Sequence, residues 1–262
     1  MNELNIADFG ADFFSLRGKN AIVTGGNSGL GQAFSTALAS MGANVLAASV
    51  MPDDDETQKL VEASGSRYAY MHADITANGV PQQVAERCVS EFGSVDILVN
   101  SAGRCINEPD VLKFTREQWD PMVALNLTAA FEMSHEVAKF MIPQGSGKII
   151  NICSVFTFLG GQWSPAYAAT KHGIAGLTKA YCDELAPFGI QVNGIAPGYY
   201  ATPLTAETRA NPAANQHVMN HVPAGRWGQT QDLMGATAFL ASRASDYVNG
   251  HILSVDGGYL VR

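Results

Sequence analysis

No stretch of this 262-residue sequence is apolar for long enough to cross a membrane, so an integral membrane protein is not expected. Basic residues are scarce: 16 Lys and Arg stand against 24 Asp and Glu, for a formal net charge of −8. Nucleic acids and anionic membranes attract clustered Lys and Arg, so neither is expected as a partner. Cysteine is sparse as well. Cys88, Cys105, Cys153 and Cys182 are scattered, without CxxC or Cys/His metal spacing, and reduced, mostly buried thiols are expected. His135, His172, His217 and His221 are likewise read as lacking metal spacing, and no metal is expected. The opening MNELNIADFGADFFSL lacks the basic start of a secretory signal, which makes the cytoplasm the expected location. Linkers rich in Pro or Ser are missing too. Residues 1–262 are therefore expected to form one domain, with 1–15 as an N-terminal extension.

What is present is apolar: 47% hydrophobic residues against 15% charged, enough for a sizeable core. From Lys19 onward, β-rich runs alternate with helix-length segments. The predicted strands are Asn20–Gly25, Asn44–Ser49, a weaker run in RYAYMHAD, Val95–Gly103, Gly147–Ser154, Ile190–Gly198 and His251–Gly258. Helical periodicity marks GLGQAFSTALASMG, Arg116–Met141 and Pro165–Leu185. Continuous apolar strands alternating with helices predict an α/β fold: a single doubly wound (Rossmann) parallel sheet with helices on both faces. Ligands of such sheets bind beyond the carboxyl ends of the strands.

The first predicted strand ends in TGGNSGLG, which places Gly25, Asn27, Ser28, Gly29, Leu30 and Gly31 at a strand-to-helix turn. A turn without side chains lets backbone approach a pyrophosphate, and the next helix offers unpaired N–H groups. A dinucleotide cofactor is expected there. The second strand ends at Ser49, without the acid that often bonds the adenosine ribose. No Lys or Arg occurs from Asn44 through Gln58, whereas Asp53, Asp54 and Asp55 follow the strand. A 2′-phosphate would be repelled, so NAD is favoured over NADP. Asp74, with Ile75 beside it, is either an acceptor for the adenine amino group or an ordinary turn aspartate. Asn100, Ala102 and Gly103 sit where backbone must pass close to something flat.

Tyr167 and Lys171 stand four residues apart in SPAYAATKHG, so a helix places them on one face. Alone, the pair reads as an amphipathic surface pair more readily than as chemistry. A free phenol has a pKa of about 10, and lowering it to about 7 requires roughly 4 kcal/mol. An ammonium at ~4 Å supplies on the order of 4 kcal/mol at an effective dielectric near 20. Lys171 is therefore expected to make Tyr167 a general acid/base near neutral pH. Ser154, at the end of a strand, can return over the same helix.

TGxxxGxG at Thr24–Gly31, NxAG at Asn100–Gly103, Asn126 in LNLTAAF, Ser154, YxxxK and Pro197–Gly198 occur in that order. From Leu16 onward the chain resembles the short-chain dehydrogenase/reductase family. The resemblance implies that Tyr167 exchanges a proton with the substrate oxygen and that Ser154 polarises it. It further implies that Lys171 lowers the phenol pKa and holds the nicotinamide ribose, and that Asn126 positions a water linking Lys171 to solvent. Pro197, Gly198 and Thr202 would line the nicotinamide, Thr202 bonding its carboxamide. VPAGRWG, ASDYVNG and VDGGYL are similar to segments of members acting on gluconate, 2-deoxygluconate or 2-dehydro-3-deoxygluconate. A substrate carboxylate calls for a fork-shaped cation. Arg104 and Arg209 are candidates, with Gln162, Trp163 and Tyr199 for the polyol; for each, a surface or packing role is an equal alternative. Residues 203–223 read as a substrate lid, and Arg226 and Trp227 as a structural corner. The C-terminal segment resembles a subunit-contact strand, which implies a homotetramer. Other readings are a reductase of another small carbonyl compound and a nucleotide-sensing protein on the same fold.

Overall fold

In the computed structural model, residues 9–161 and 163–262 are described, so Gln162 and the first part of the N-terminal extension lie outside the described residues. The seven predicted strands form as β1 (Asn20–Thr24), β2 (Asn44–Ser49), β3 (Tyr68–His72), β4 (Ile97–Asn100), β5 (Gly147–Ile152), β6 (Ile190–Pro197) and β7 (Ile252–Val255). They pair in parallel in one sheet of order β3-β2-β1-β4-β5-β6-β7. Helices α1 (Gly29–Ser40), α2 (Glu56–Glu62), α3 (Val80–Phe92), α4 (Arg116–Val123), α5 (Ala129–Gln144), α6 (Pro165–Leu185), α7 (Ala206–Ala210), α8 (Pro212–His221) and α9 (Met234–Ala241) fill the connections.

Successive side chains of a strand point to opposite faces, so an unbroken apolar strand requires cover on both. On one face Ile22, Leu46, Leu98, Ile149 and Val192 pack with Met133, Val137 and Met141 of α5 and with Val84 and Cys88 of α3. On the other, Val23, Val45, Val99 and Ile150 pack with Phe34 and Leu38 of α1 and Leu240 of α9. The chain runs outward from β1 to β3, then returns to place β4 on the far side of β1. Connections after β1 and β4 therefore diverge, and the crevice opens between them.

One predicted segment differs from what forms. The periodicity over Arg116–Met141 predicts one helix, but a π-helical turn over Ala124–Thr128 separates α4 from α5. The wider turn changes the helical phase, which a simple periodicity count does not register. The 203–223 segment contains a short 3₁₀ turn (Pro203–Thr205) followed by α7 and α8.

Candidate active site

The glycine turn after β1 is dictated by close backbone approach. Gly25 and Gly29 adopt φ of +66° and +55°, the left-handed region that favours glycine. A Cβ on Gly31 would collide with the Gly25 carbonyl. Thr24 Oγ1 accepts hydrogen bonds from the Ser101 and Ala102 backbone N–H groups, at 2.9 and 3.0 Å, and so docks the β4 loop against the turn. Ser28 precedes α1 in extended backbone and makes no side-chain capping bond. The first amides of α1 thus keep their donors for an anion. Asn27 is buried; its Nδ2 donates to the Met51 and Pro52 carbonyls, tying the turn to the loop after β2, while its Oδ1 is buried without a partner. A cradle lacking side chains, open amides and an orphaned acceptor fit a dinucleotide pyrophosphate and its ribose.

Other cofactor candidates have different surroundings. The Ser49 hydroxyl, buried at the end of β2, accepts from Met51 N–H at 3.1 Å. Asp74 Oδ1 accepts from the Thr76 hydroxyl and amide, at 2.7 and 3.0 Å, in a local turn. The hydroxyl bond, ahead of the amide bond, holds its carboxyl below the usual range. Ile75 is buried in the core beside α3. The Asn100 side chain does not face the crevice: its Nδ2 donates to Asn151 Oδ1, Ser134 Oγ and the Ala130 carbonyl inside the protein. Only the backbone of that strand end meets the crevice, because β alternation turns the carboxamide toward α5.

Pro165 begins α6 at a position where a missing N–H is harmless. Ser164, just before it, does not cap the helix; its hydroxyl donates to the Ile106 carbonyl at 2.7 Å and fixes the start of α6 against the β4 loop. Tyr167 lies in the first turn, and Lys171 lies beneath it, buried, with Nζ 5.5 Å from the phenol ring centroid. Lys171 Nζ donates to the Ile152 carbonyl at 2.6 Å. Ser154 follows β5; its Oγ accepts from Phe156 N–H at 3.2 Å, which leaves the hydroxyl proton free to donate.

The electrostatics correct one expectation. Burial, the largest influence, pushes the Tyr167 phenol up to about 12, and the Ser154 hydroxyl pulls the other way. Burial also holds the Lys171 ammonium below its usual range. In the protein by itself, desolvation is the largest influence on the phenol and raises it rather than lowering it. A four-residue spacing carries the charge of Lys171 but not the burial of the pair, which only the packed structure sets.

Asn126 lies in the π-helical turn and is buried. Its Oδ1 accepts from Arg104 N–H and its Nδ2 donates to the Arg104 carbonyl, each at 2.9 Å. Asn126 therefore clamps the β4 loop through both sides of its carboxamide. A Cβ on Gly103 would stand 3.3 Å from Asn126 Oδ1 and 4.0 Å from Lys171 Nζ, so Gly103 admits both to one corner.

Known proteins are similar to this chain over nearly its whole length. Residues 25–260 match a family model described as enoyl-(acyl carrier protein) reductase. The chain is 64% identical over 255 residues to the uncharacterized oxidoreductase YgcW of Escherichia coli K12, covering 97% of each. It is 45% identical over 251 residues to the 2-dehydro-3-deoxy-D-gluconate 5-dehydrogenase of the same organism, covering 95% of this chain and 98% of the relative. A crystal structure of gluconate 5-dehydrogenase from Burkholderia cenocepacia, in complex with NADP and tartrate, superposes with a TM-score of 0.88 at 36% identity, covering 96% and 98% of the two chains. The chain belongs to the short-chain dehydrogenase/reductase family. Its relatives are named dehydrogenases and reductases, and it is an NAD(P)-dependent oxidoreductase acting on CH–OH groups.

In this short-chain dehydrogenase, the substrate candidates are distributed unevenly. Arg104 is exposed beside Gly103, with its backbone held by Asn126. Arg209 Nη2 donates to the Thr202 carbonyl at 3.0 Å, which engages it within its own segment. Trp163 is exposed and holds a left-handed φ of +66°, a strained state for an aromatic residue beside the Tyr167 turn. Tyr199, one residue past Gly198, touches Phe156, Trp227 and Tyr259, at ring distances of 6.5, 5.7 and 5.2 Å. Phe156 in turn meets Tyr167 edge-on at 6.1 Å. Trp227 Nε1 donates to Asn215 Oδ1 of α8 at 2.7 Å, while Arg226 forms a two-pronged pair with Asp232, in keeping with a structural corner. Sequence reasoning missed Thr24, Phe156, Ser164 and Tyr259. Thr24 carried a signal in the TG dipeptide; the other three act through contacts between distant segments.

Proposed function

We propose that the protein oxidises or reduces the secondary alcohol/ketone carbon of a sugar acid of the gluconate type, with Tyr167 as general acid/base. The observation that carries this is the convergence of Tyr167, Ser154 and buried Lys171 on the crevice beside the glycine turn. The likeness to 2-dehydro-3-deoxy-D-gluconate and gluconate 5-dehydrogenases supports the substrate class.

The cofactor cradle comprises Gly25, Gly29, Gly31 and the open end of α1, the backbone of Ala102 and Gly103, and Pro197, Gly198 and Thr202 at the nicotinamide end. Nicotinamide, when bound, accepts the hydride in oxidation and donates it in reduction. Tyr167 takes the alcohol proton onto its phenol oxygen in oxidation and returns it in reduction. Ser154, with its hydroxyl proton free, orients the reacting oxygen. Lys171, after one bond to Ile152, keeps two further ammonium protons for ribose hydroxyls. Arg104 is the guanidinium best placed for the substrate carboxylate. NAD is the preferred cofactor, since the loop after β2 carries three aspartates and no cation. A homotetramer is supported by the half-buried outer strand β7 and by exposed Phe131, whose ring meets Tyr181 at 6.3 Å.

The test follows reduced-nicotinamide absorbance against a panel of sugar acids, with NAD and NADP in parallel. Wild type turns over a gluconate-type acid with NAD, and Tyr167→Phe loses about 10²–10⁴-fold in kcat while remaining folded by circular dichroism. Equal turnover in both would falsify the tyrosine assignment. Activity confined to apolar ketones would overturn the substrate class.

A further inference from the structure

Two side chains outside this site form a pair of their own. His217 and His221 are both exposed on α8, with ring centroids 4.7 Å apart and planes inclined by 45°. Positions i and i+4 share a helix face, the spacing with which a helix presents two imidazoles to one metal ion. The expectation that His217 and His221 lack metal spacing is thus corrected, since four residues along a helix bring the two rings side by side.

The geometry adds what spacing cannot. His221 Nδ1 lies 2.9 Å from the His217 backbone oxygen. A carbonyl only accepts, so Nδ1 is the donor, and in the neutral ring Nε2 then holds the lone pair a metal needs. Metal-bound histidines are commonly fixed in this manner, with the second ring nitrogen donating to a backbone carbonyl. The Tyr259 ring, 6.1 Å from the His221 ring, packs beside it. The pair also occupies the final turns of α8, where unpaired carbonyls create partial negative charge that favours a cation. The net charge of −8 acts in the same direction. Arg262 opposes it, since its Nη1 donates to the Asn220 carbonyl at 3.3 Å.

We propose that His217 and His221 form a two-histidine site for a divalent transition metal such as zinc or nickel, the class that imidazole nitrogen suits. Among the described residues no group of three or more His, Cys, Asp or Glu could hold a metal. The site is therefore an open one, with water completing the coordination, and it exchanges its ion readily. An ion bridging one turn opposes fraying at the end of α8, next to Tyr259 and, through it, Tyr199.

The experiment is calorimetric titration of the untagged full-length protein with zinc chloride, and separately with nickel sulfate. Wild type is expected to take up one ion per chain at this site. Affinity should fall at least about tenfold in both His217→Ala and His221→Gln, and stay unchanged in His135→Ala. Amide hydrogen exchange over 218–222 should slow with zinc in wild type and not in His221→Gln. Absence of binding in wild type, an affinity in either variant equal to that of wild type, or exchange in α8 indifferent to zinc would each overturn the proposal.

Discussion

A phenol enclosed by protein is hard to ionise, and that property of Tyr167 sets how the proposed chemistry responds to pH. With the group raised to about 12, the protonated form that reduction requires dominates throughout the neutral range. The phenolate needed for oxidation becomes more abundant with every step upward in pH. Oxidation kcat/KM is therefore expected to climb from about pH 7 to beyond about pH 9 without a plateau, while reduction stays flat there. Parallel pH–rate profiles in the two directions check this, and Ser154→Ala should move any break upward, because its hydroxyl opposes the rise. The Asn100 carboxamide tests another residue-scale claim. Removing it in Asn100→Ala leaves Asn151 Oδ1 without its 2.9 Å donor inside the protein, at a cost of about 1–3 kcal/mol in stability. Urea unfolding measures that loss, and an unchanged midpoint would contradict the role given to the buried network.

At the scale of elements, the aromatic array joins what the chain order separates. Tyr199 follows β6, Phe156 follows β5, Trp227 follows α8 and Tyr259 follows β7, yet their rings form one contiguous wall next to Tyr167. Trp227 and Tyr259 also contact α8, at Asn215 and His221. Tyr199→Ala should raise KM for the sugar acid about tenfold and change kcat by less than about threefold, the size of a lost aromatic contact. A fall in kcat with KM unmoved would place Tyr199 in the chemical step. Much at this scale was legible in advance. The inner strands were predicted because each is buried on both faces, the edge strands β3 and β7 on a weaker pattern because they are only half-buried, and α6 because its period is unbroken. The π-helical turn was not legible: nothing in LNLT announces the insertion that turns Asn126 inward to clamp Arg104.

For the whole molecule, the reversal of strand order at β1 and β4 opens the crevice at the carboxyl ends of the strands, whereas the proposed assembly concerns the exposed edges of the sheet. Among the described residues β7 is paired only with β6, and exposed Phe131 and Phe188 remain on the surface of the single chain. Unpaired strand edges and apolar patches are favourable to association. Light scattering on the purified protein is expected to give four times the chain mass of 27.8 kDa; a monomer at micromolar concentration would contradict the assembly.

The order of amino acids alone determined the parallel sheet, the glycine turn and the presence of Tyr167, Lys171, Ser154 and Asn126, because periodicity, steric freedom and side-chain chemistry are local properties. Tertiary structure alone decided the balance of charge and burial at the phenol, the inward turn of Asn100, the double bond from Asn126 to Arg104 and the aromatic wall. Each of these depends on which distant segments exclude water from one another, and no local pattern encodes that.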